Sequence, residues 1–332
     1  MARFKPTVKT CILLAGLVFL VGLPPAASAL EETFYIGLFS RILIYALAAV
    51  SLGLILGFGG MVSFGHAAFF GAGAYVVGIL AYHGVEESAF ISWPFVMMGT
   101  DNALISWSVA ILASAGLAFI IGAISLRTSG VYFIMITLAF AQMMYFFFTS
   151  LGKYGGDDGL SLYTRSRVGG LDLNNDATFY YLCLGLLIGF ILLSYRLVHS
   201  RFGMVIRGSK ENETRMASLG FPTYRYKLVC FVIAGAGAGL SGALIANQTE
   251  FVSPSLMHWT VSGEILVMVI LGGVGTLLGP VFGATVLLLL EEFISRYTEH
   301  WMLILGPILI FVVLFARRGL YGSFVERKPQ NG

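Results

Sequence analysis

Long runs without a charged side chain alternate with short polar stretches along almost the whole chain. One helical crossing of a bilayer needs roughly 20 apolar residues, at a rise of about 1.5 Å each. Residues 10–30 contain no Asp, Glu, Lys or Arg and are long enough for one crossing. Residues 42–85 contain none either and hold two crossings, broken near Gly57 to Gly60. The first of these starts near Tyr35, with Arg41 close to its outer end. Residues 102–126, 128–152, 177–195 and 228–249 each add one more, which makes seven.

The C-terminal third is less regular. Residues 265–290 are charge-free and Leu-rich, but Gly272, Gly273, Gly275, Gly279 and Pro280 interrupt them, and Pro and Gly both weaken a helix interior. A last apolar stretch runs from Trp301 to Ala316. Arg3, Lys5 and Lys9 at one terminus and Arg317, Arg318, Arg327 and Lys328 at the other place both ends in the cytoplasm, which demands an even number of crossings. Two short segments turning at the glycines give ten, and a re-entrant hairpin gives eight complete crossings with the same parity. The expected fold is therefore all-α, a polytopic membrane helix bundle of about ten transmembrane helices. The loops agree in phase: Val85 to Asn102 carries Glu86, Glu87 and Asp101 without a basic residue and reads as external. Arg196 to Lys227 carries Arg196, Arg201, Arg207, Lys210, Arg215, Arg225 and Lys227 against Glu211 and Glu213, and reads as cytoplasmic. The N-terminus also has the layout of a cleavable signal peptide, with Pro24 to Ala29 after an apolar run. Cleavage would spoil the even count, which favours a retained first helix.

Composition fits this pattern. Hydrophobic residues make up 58% and charged residues 11% of the chain, too few charges to coat a water-soluble protein of 332 residues. The 20 basic and 17 acidic side chains are too balanced to imply nucleic acid as a partner. Cys11, Cys183 and Cys230 stand alone in apolar stretches, with no metal-ligand spacing, and read as small buried hydrophobes. No GxxxxGK[ST], HExxH or GxSxG run occurs, so neither a nucleotide site nor a hydrolase site nor a cofactor is expected.

Polar groups inside apolar runs are few, and each must find a partner in protein or water. Ser63, His66, Thr137, Gln142, Asn247 and Glu264 are these groups. Glycine is abundant, at 41 residues, and densest around Gly65 to Gly73 and Gly235 to Gly242. Small residues either let helices approach closely or leave room for a solute along a passage. The candidate translocation path is Ser63, His66, Gly71, Thr137, Gln142, Gly237 and Glu264; the competing role for the same residues is stitching helices together. Between Arg207 and Pro222, Ser209 suits a helix start, Glu211 and Glu213 its first turn, and Gly220 the position past its end. This predicts a helix of about ten residues, roughly 15 Å long, too short and polar to cross a membrane.

Four segments in order resemble the LivM-type permeases of branched-chain amino-acid ABC importers. They are Gly60-Met-Val-Ser-Phe-Gly-His-Ala-Ala-Phe-Phe-Gly-Ala-Gly-Ala-Tyr75, Thr128 to Gln142, Arg201 to Gly220 and Leu271 to Ala284. The resemblance implies one permease of an importer in the bacterial inner membrane. It would work with a second, LivH-like permease, two cytoplasmic ATPases and a periplasmic substrate-binding protein, and would hydrolyse no ATP itself. It also implies that Glu211, Glu213, Arg215, Ala217, Leu219 and Gly220 insert into an ATPase and couple it to transport, although Thr214 and Arg215 depart from the Glu-Ala-Ala pattern of importers in general. The implied layout is a basic segment and first helix in residues 1–34, a transmembrane domain in 35–316 with a coupling segment at 199–227 and an external loop at 151–177, and a cytoplasmic tail in 317–332. A urea or amide permease of the same architecture, or an ion-coupled carrier, would show a similar hydropathy pattern.

Overall fold

The computed structural model describes residues 8–29, 32–86, 89–91, 97–169 and 172–298, with positions 300, 303–307, 310 and 319 beyond them. The expected last crossing lies mostly outside these residues. So do Arg3, Lys5, Glu87 and the basic tail from Arg317.

Helices follow the charge-free runs closely. They are α1 (Val8–Ala29), α2 (Thr33–Gly53, continued by a π-helical turn Leu54–Phe58), α3 (His66–Val85), α4 (Ala103–Ser125), α5 (Val131–Thr149) and α6 (Asp176–His199). After them come α7 (Arg201–Glu211), α8 (Glu213–Ser218), α9 (Thr223–Thr249), α10 (Trp259–Gly272) and α11 (Gly279–Ser295). Among the described residues six helices are long and apolar enough to cross a membrane: α2 with its π-turn, α3, α4, α5, α6 and α9. The stretch broken by glycines is two helices, α10 and α11, packed against each other and against α2. Short antiparallel pairs, β1 (Ala89–Ile91) with β2 (Met97–Met98) and β3 (Leu160–Ser161) with β4 (Phe251–Val252), tie the loops.

Helix starts follow capping chemistry. Asn102 accepts from the Leu104 N–H at 3.0 Å and Asn175 from the Ala177 N–H at 2.9 Å, each satisfying a donor that the first turn leaves free. The centre of the bundle is α9, which touches α2, α3 and α4. Its small residues make this possible: a methyl at Gly73 of α3 would collide with the Gly239 backbone, and one at Gly242 with the Phe70 carbonyl.

The two ends of the bundle are distinct. At one, Lys210 donates to the Gly57 carbonyl and the Tyr224 hydroxyl to the Ala123 carbonyl, which gathers α7, the ends of α2 and α4 and the start of α9. At the other, Gln248 donates to Gly37 O, the Ser166 N–H to Asn247 Oδ1, and Arg165 pairs with Asp176 at 2.7 Å and Glu250 at 3.4 Å. Asn247 also donates to Ala243 O, so it pins the loop to α9.

Two stretches outside the α-helices enter the bundle from these opposite ends, the second holding a 3₁₀ turn at Pro254–Met257. Residues 59–65 run from the Lys210 end to His66, whose Nε2 meets the Ser51 hydroxyl at 2.9 Å, two turns back inside α2. Residues 251–258 dip from the other end until Met257 lies against Gly71, in the second turn of α3. Consequently α3 begins buried within the bundle and α10 begins part-way along its surface, and the Ala67 N–H donates to Ser262 Oγ at 2.8 Å. α10 has 14 residues, about 21 Å of helix, short of a full bilayer crossing.

Candidate translocation and coupling sites

Three of the expected path residues meet where the 59–65 segment enters α3. Ser63 Oγ accepts from the Gly65 N–H at 3.2 Å, and Thr137 Oγ1 accepts from the Phe64 N–H at 3.2 Å while donating to Ile134 O. Ser63, His66 and Thr137 are fully buried. Buried polar side chains must be paired, and these give the irregular backbone the partners that a helix would supply. The Nδ1 atom of His66 has no partner among the described residues, and the same holds for Gln142 Oε1, further along α5. Ser51 and Ser262 complete the cluster. Neither is singled out by the sequence, because a lone serine in an apolar helix gives no sign of what it faces.

Gly71 and Gly237 lie in helix contacts. A Cβ at Gly71 would overlap Met257, and one at Gly237 would stand 2.5 Å from the Phe190 ring and 3.0 Å from Ser51 Cβ. Glu264 lies apart from the cluster. It is exposed on the second turn of α10 and interacts electrostatically with Arg41 and Glu291. Those two form an ion pair at 3.2 Å between α2 and α11, with the Arg41 guanidinium 5.7 Å from the Tyr45 ring centre. Arg41 sits about 12 Å along α2 from its start at Thr33. Charges at such depth are costly against lipid and normally face protein or water. No cluster of potential metal ligands occurs among the described residues.

The second site is the polar segment between α6 and α9. Ser200 caps α7 by accepting from the Gly203 N–H. Three expectations are corrected here. The segment forms two helices rather than one, and Ser209 caps neither: it sits in the last turn of α7, donating to Val205 O at 2.8 Å. Asn212 is the cap instead. Its backbone is extended, at φ −156° and ψ 99°, and its side chain accepts from the Arg215 N–H at 2.9 Å. Glu211 therefore closes α7, whereas Glu213 does lie in the first turn of α8.

The end of α8 is as the sequence suggests. Gly220 has φ +86°, its N–H donates to Ala217 O at 2.9 Å, and the Phe221 N–H reaches back to Met216 O at 3.2 Å. These two bonds make a Schellman end, which favours glycine at the left-handed position. Glu213 joins α8 to α9 by a 2.6 Å ion pair with Lys227 and by accepting from the Thr223 hydroxyl at 3.1 Å. Glu211, Glu213, Arg215, Ala217, Leu219 and Gly220 are all exposed, Leu219 by 64%. Ala217, Leu219 and Phe221 leave apolar surface exposed around the end of α8, beside these charges.

Comparison with known proteins places these features in context. Residues 34–313 match the profile of the family described as branched-chain amino acid transport system / permease component. The high-affinity branched-chain amino acid transport system permease protein LivM of Escherichia coli is 26% identical over 303 residues, covering 84% of this chain and 68% of LivM. LivH of the same organism is 25% identical over 294 residues, 84% of this chain and 91% of LivH. The L-arabinose ABC transporter permease protein AraH of Azospirillum brasilense is 23% identical over 250 residues, 72% of this chain and 70% of AraH. No solved structure matches the chain significantly.

Proposed function

We propose, from the premise that this chain belongs to the branched-chain amino acid transport system permease family, that it carries branched-chain or related amino acids across the bacterial inner membrane as one permease subunit of an ATP-driven importer. The observation that carries this reading is the family match across residues 34–313, the helical bundle together with its polar segment. Its partners are a second, LivH-like permease, two cytoplasmic ATPases and a periplasmic binding protein. The chain crosses the membrane ten times with both termini in the cytoplasm. Support comes from the basic residues gathered at the α7 end, from Arg196 to Lys227, and from the acidic Asp101, Asp157, Asp158, Asp172, Asp176 and Glu250 at the other.

α8 docks on an ATPase through Ala217, Leu219 and the flanking charges of Glu211, Glu213 and Arg215, and Gly220 ends it. ATP-bound and ATP-free ATPases favour different permease conformations, which gives alternating access. The passage runs beside the two helix breaks, in keeping with the way transporters place discontinuous helices at their substrate sites. Glu264 faces it and attracts the ammonium end of a zwitterionic solute. Ser63, His66 and Thr137 hold its wall from behind, with Gln142 beside them, and Gly71 and Gly237 set how closely the wall helices approach. The AraH relative marks substrate choice as a property that this architecture leaves open.

The test is co-purification followed by competition. The tagged chain should retain a second permease and two ATPases. Labelled leucine uptake by the assembled transporter should be suppressed by isoleucine and valine. Suppression by urea, a short amide or L-arabinose alone would replace the substrate, and a chain that purifies without ATPases would remove the importer reading.

A further inference from the structure

The last turn of α7 lies against the bundle even though α8, which follows it, is exposed. Lys210 Nζ donates to the Gly57 carbonyl at 2.8 Å. That carbonyl belongs to the π-helical turn that ends α2, where helix carbonyls lack intrahelical partners and carry the negative end of the helix dipole. An ammonium is the group such an end favours. The stem of Lys210 passes over Gly60, where a Cβ would stand 2.9 Å from Lys210 Cγ. Ile206, one turn earlier in α7, lies over Gly59. Contact continues beyond Gly57: a Cβ there would stand 2.8 Å from the Gly275 nitrogen, in the turn between α10 and α11. The end of α7, the break leading into α3 and the α10–α11 turn therefore meet at one point.

The tie made by Glu213 is different in kind. It joins α8 to Lys227 and Thr223 of α9, an unbroken helix of 27 residues. A push on α9 moves a rigid rod, whereas a push at Gly57 reaches the two places where the backbone can rearrange. We infer that Lys210 is the positioning residue that transmits movement of the coupling segment to these breaks. Held on the Gly57 carbonyl throughout the transport cycle, it makes α7, residues 57–60 and the α10–α11 turn move as one body. This inference rests on the docking role proposed for residues 199–227.

The experiment uses the assembled transporter in proteoliposomes with its binding protein. Lys210→Met keeps the stem over Gly60 and removes only the charged donor. Subunit stoichiometry and basal ATP hydrolysis should stay unchanged, while substrate-stimulated hydrolysis and uptake fall about tenfold, the scale of one hydrogen bond from a charged group. Lys210→Arg should restore most of the loss. Normal stimulation in Lys210→Met overturns the inference. A cysteine pair supplies a test within one sample, because a Cβ at residue 60 would lie 3.7 Å from Lys210 Cβ, inside the disulfide range of about 3.5–4.5 Å. The reduced Gly60→Cys/Lys210→Cys protein should be uncoupled and the oxidised one recoupled. Because residue 60 has φ +68° and a side chain there costs about 1–2 kcal/mol, Gly60→Cys alone sets the baseline, and an oxidised pair no better coupled than the reduced one overturns the inference. Leu219→Asp separates the two claims. If it uncouples while Lys210→Met does not, docking stands and the strut falls. If neither uncouples, the docking reading falls and the strut with it.

Discussion

Replacing Gly220 isolates a backbone effect from a packing effect. Nothing lies within 4 Å of a Cβ built there, so a side chain meets open space and only the backbone at φ +86° objects. A residue with a Cβ in the left-handed region loses about 1–2 kcal/mol, and β-branched residues fall at the upper end of a range of about 1–3 kcal/mol. Asparagine is the side chain that tolerates this region best. The helix that depends on this position is short: α8 has six residues, and an isolated helix of that length is not stable in water. It is held by the Asn212 cap, the Glu213 ties and the Schellman end, so removing one of the three is felt in full. Each 1.4 kcal/mol changes the ratio of ordered to frayed α8 about tenfold. Substrate-stimulated ATP hydrolysis of the assembled transporter should therefore fall in the order Gly, Asn, Ala, Val at residue 220. The valine protein should lie about tenfold or more below the glycine protein, with membrane insertion and basal hydrolysis intact. A valine protein stimulated as well as the glycine protein would refute the claim that the ordered end of α8 matters for coupling.

Other outcomes follow from the same contacts. Glu213→Gln removes the Lys227 ion pair; because the Glu213 side chain is 48% exposed, the loss should be about 1 kcal/mol or less, seen as weaker coupling at low salt that converges with the parent protein at high salt. Gly73→Ala pushes a methyl into the Gly239 backbone and should destabilise the bundle by about 1–3 kcal/mol, read as a lower thermal midpoint in detergent. Leucine at Gly71 or Gly237 meets Met257 or Phe190, so thermal stability should drop together with uptake; a block of uptake at unchanged stability would instead place these glycines on the passage. Glu264→Gln should lower uptake while leaving subunit assembly and the Arg41–Glu291 pair in place, and unchanged uptake would remove Glu264 from the path.

Much of this architecture is legible in the sequence because the bilayer imposes it. Charge-free runs mark α1 to α6 and α9 to within about five residues, and the glycines between Gly272 and Gly279 mark the turn between α10 and α11. Gly220 is legible because a left-handed helix end has a strong residue preference. Ser209 misleads for a related reason. Both Ser209 and Asn212 are good caps, and only tertiary context decides which is used: α7 continues through Ser209 because its last turn lies on the bundle through Lys210. Pairings across the bundle, such as Ser51 with His66, Ser262 with Ala67 and Lys210 with Gly57, depend on how helices are rotated against one another. Apolar composition all round a helix leaves that rotation unspecified. For the same reason the sequence separates pore glycines from packing glycines poorly.

On the proposed function, ATP hydrolysis by partner subunits drives an amino acid through this bundle. Proteoliposomes holding the assembled transporter, with ATP inside and binding protein plus labelled leucine outside, measure it directly when an ionophore collapses every ion gradient. Import by the proposed mechanism gives leucine accumulation that needs ATP and binding protein and is indifferent to the ionophore. Accumulation that survives without ATP and vanishes with the ionophore would contradict it.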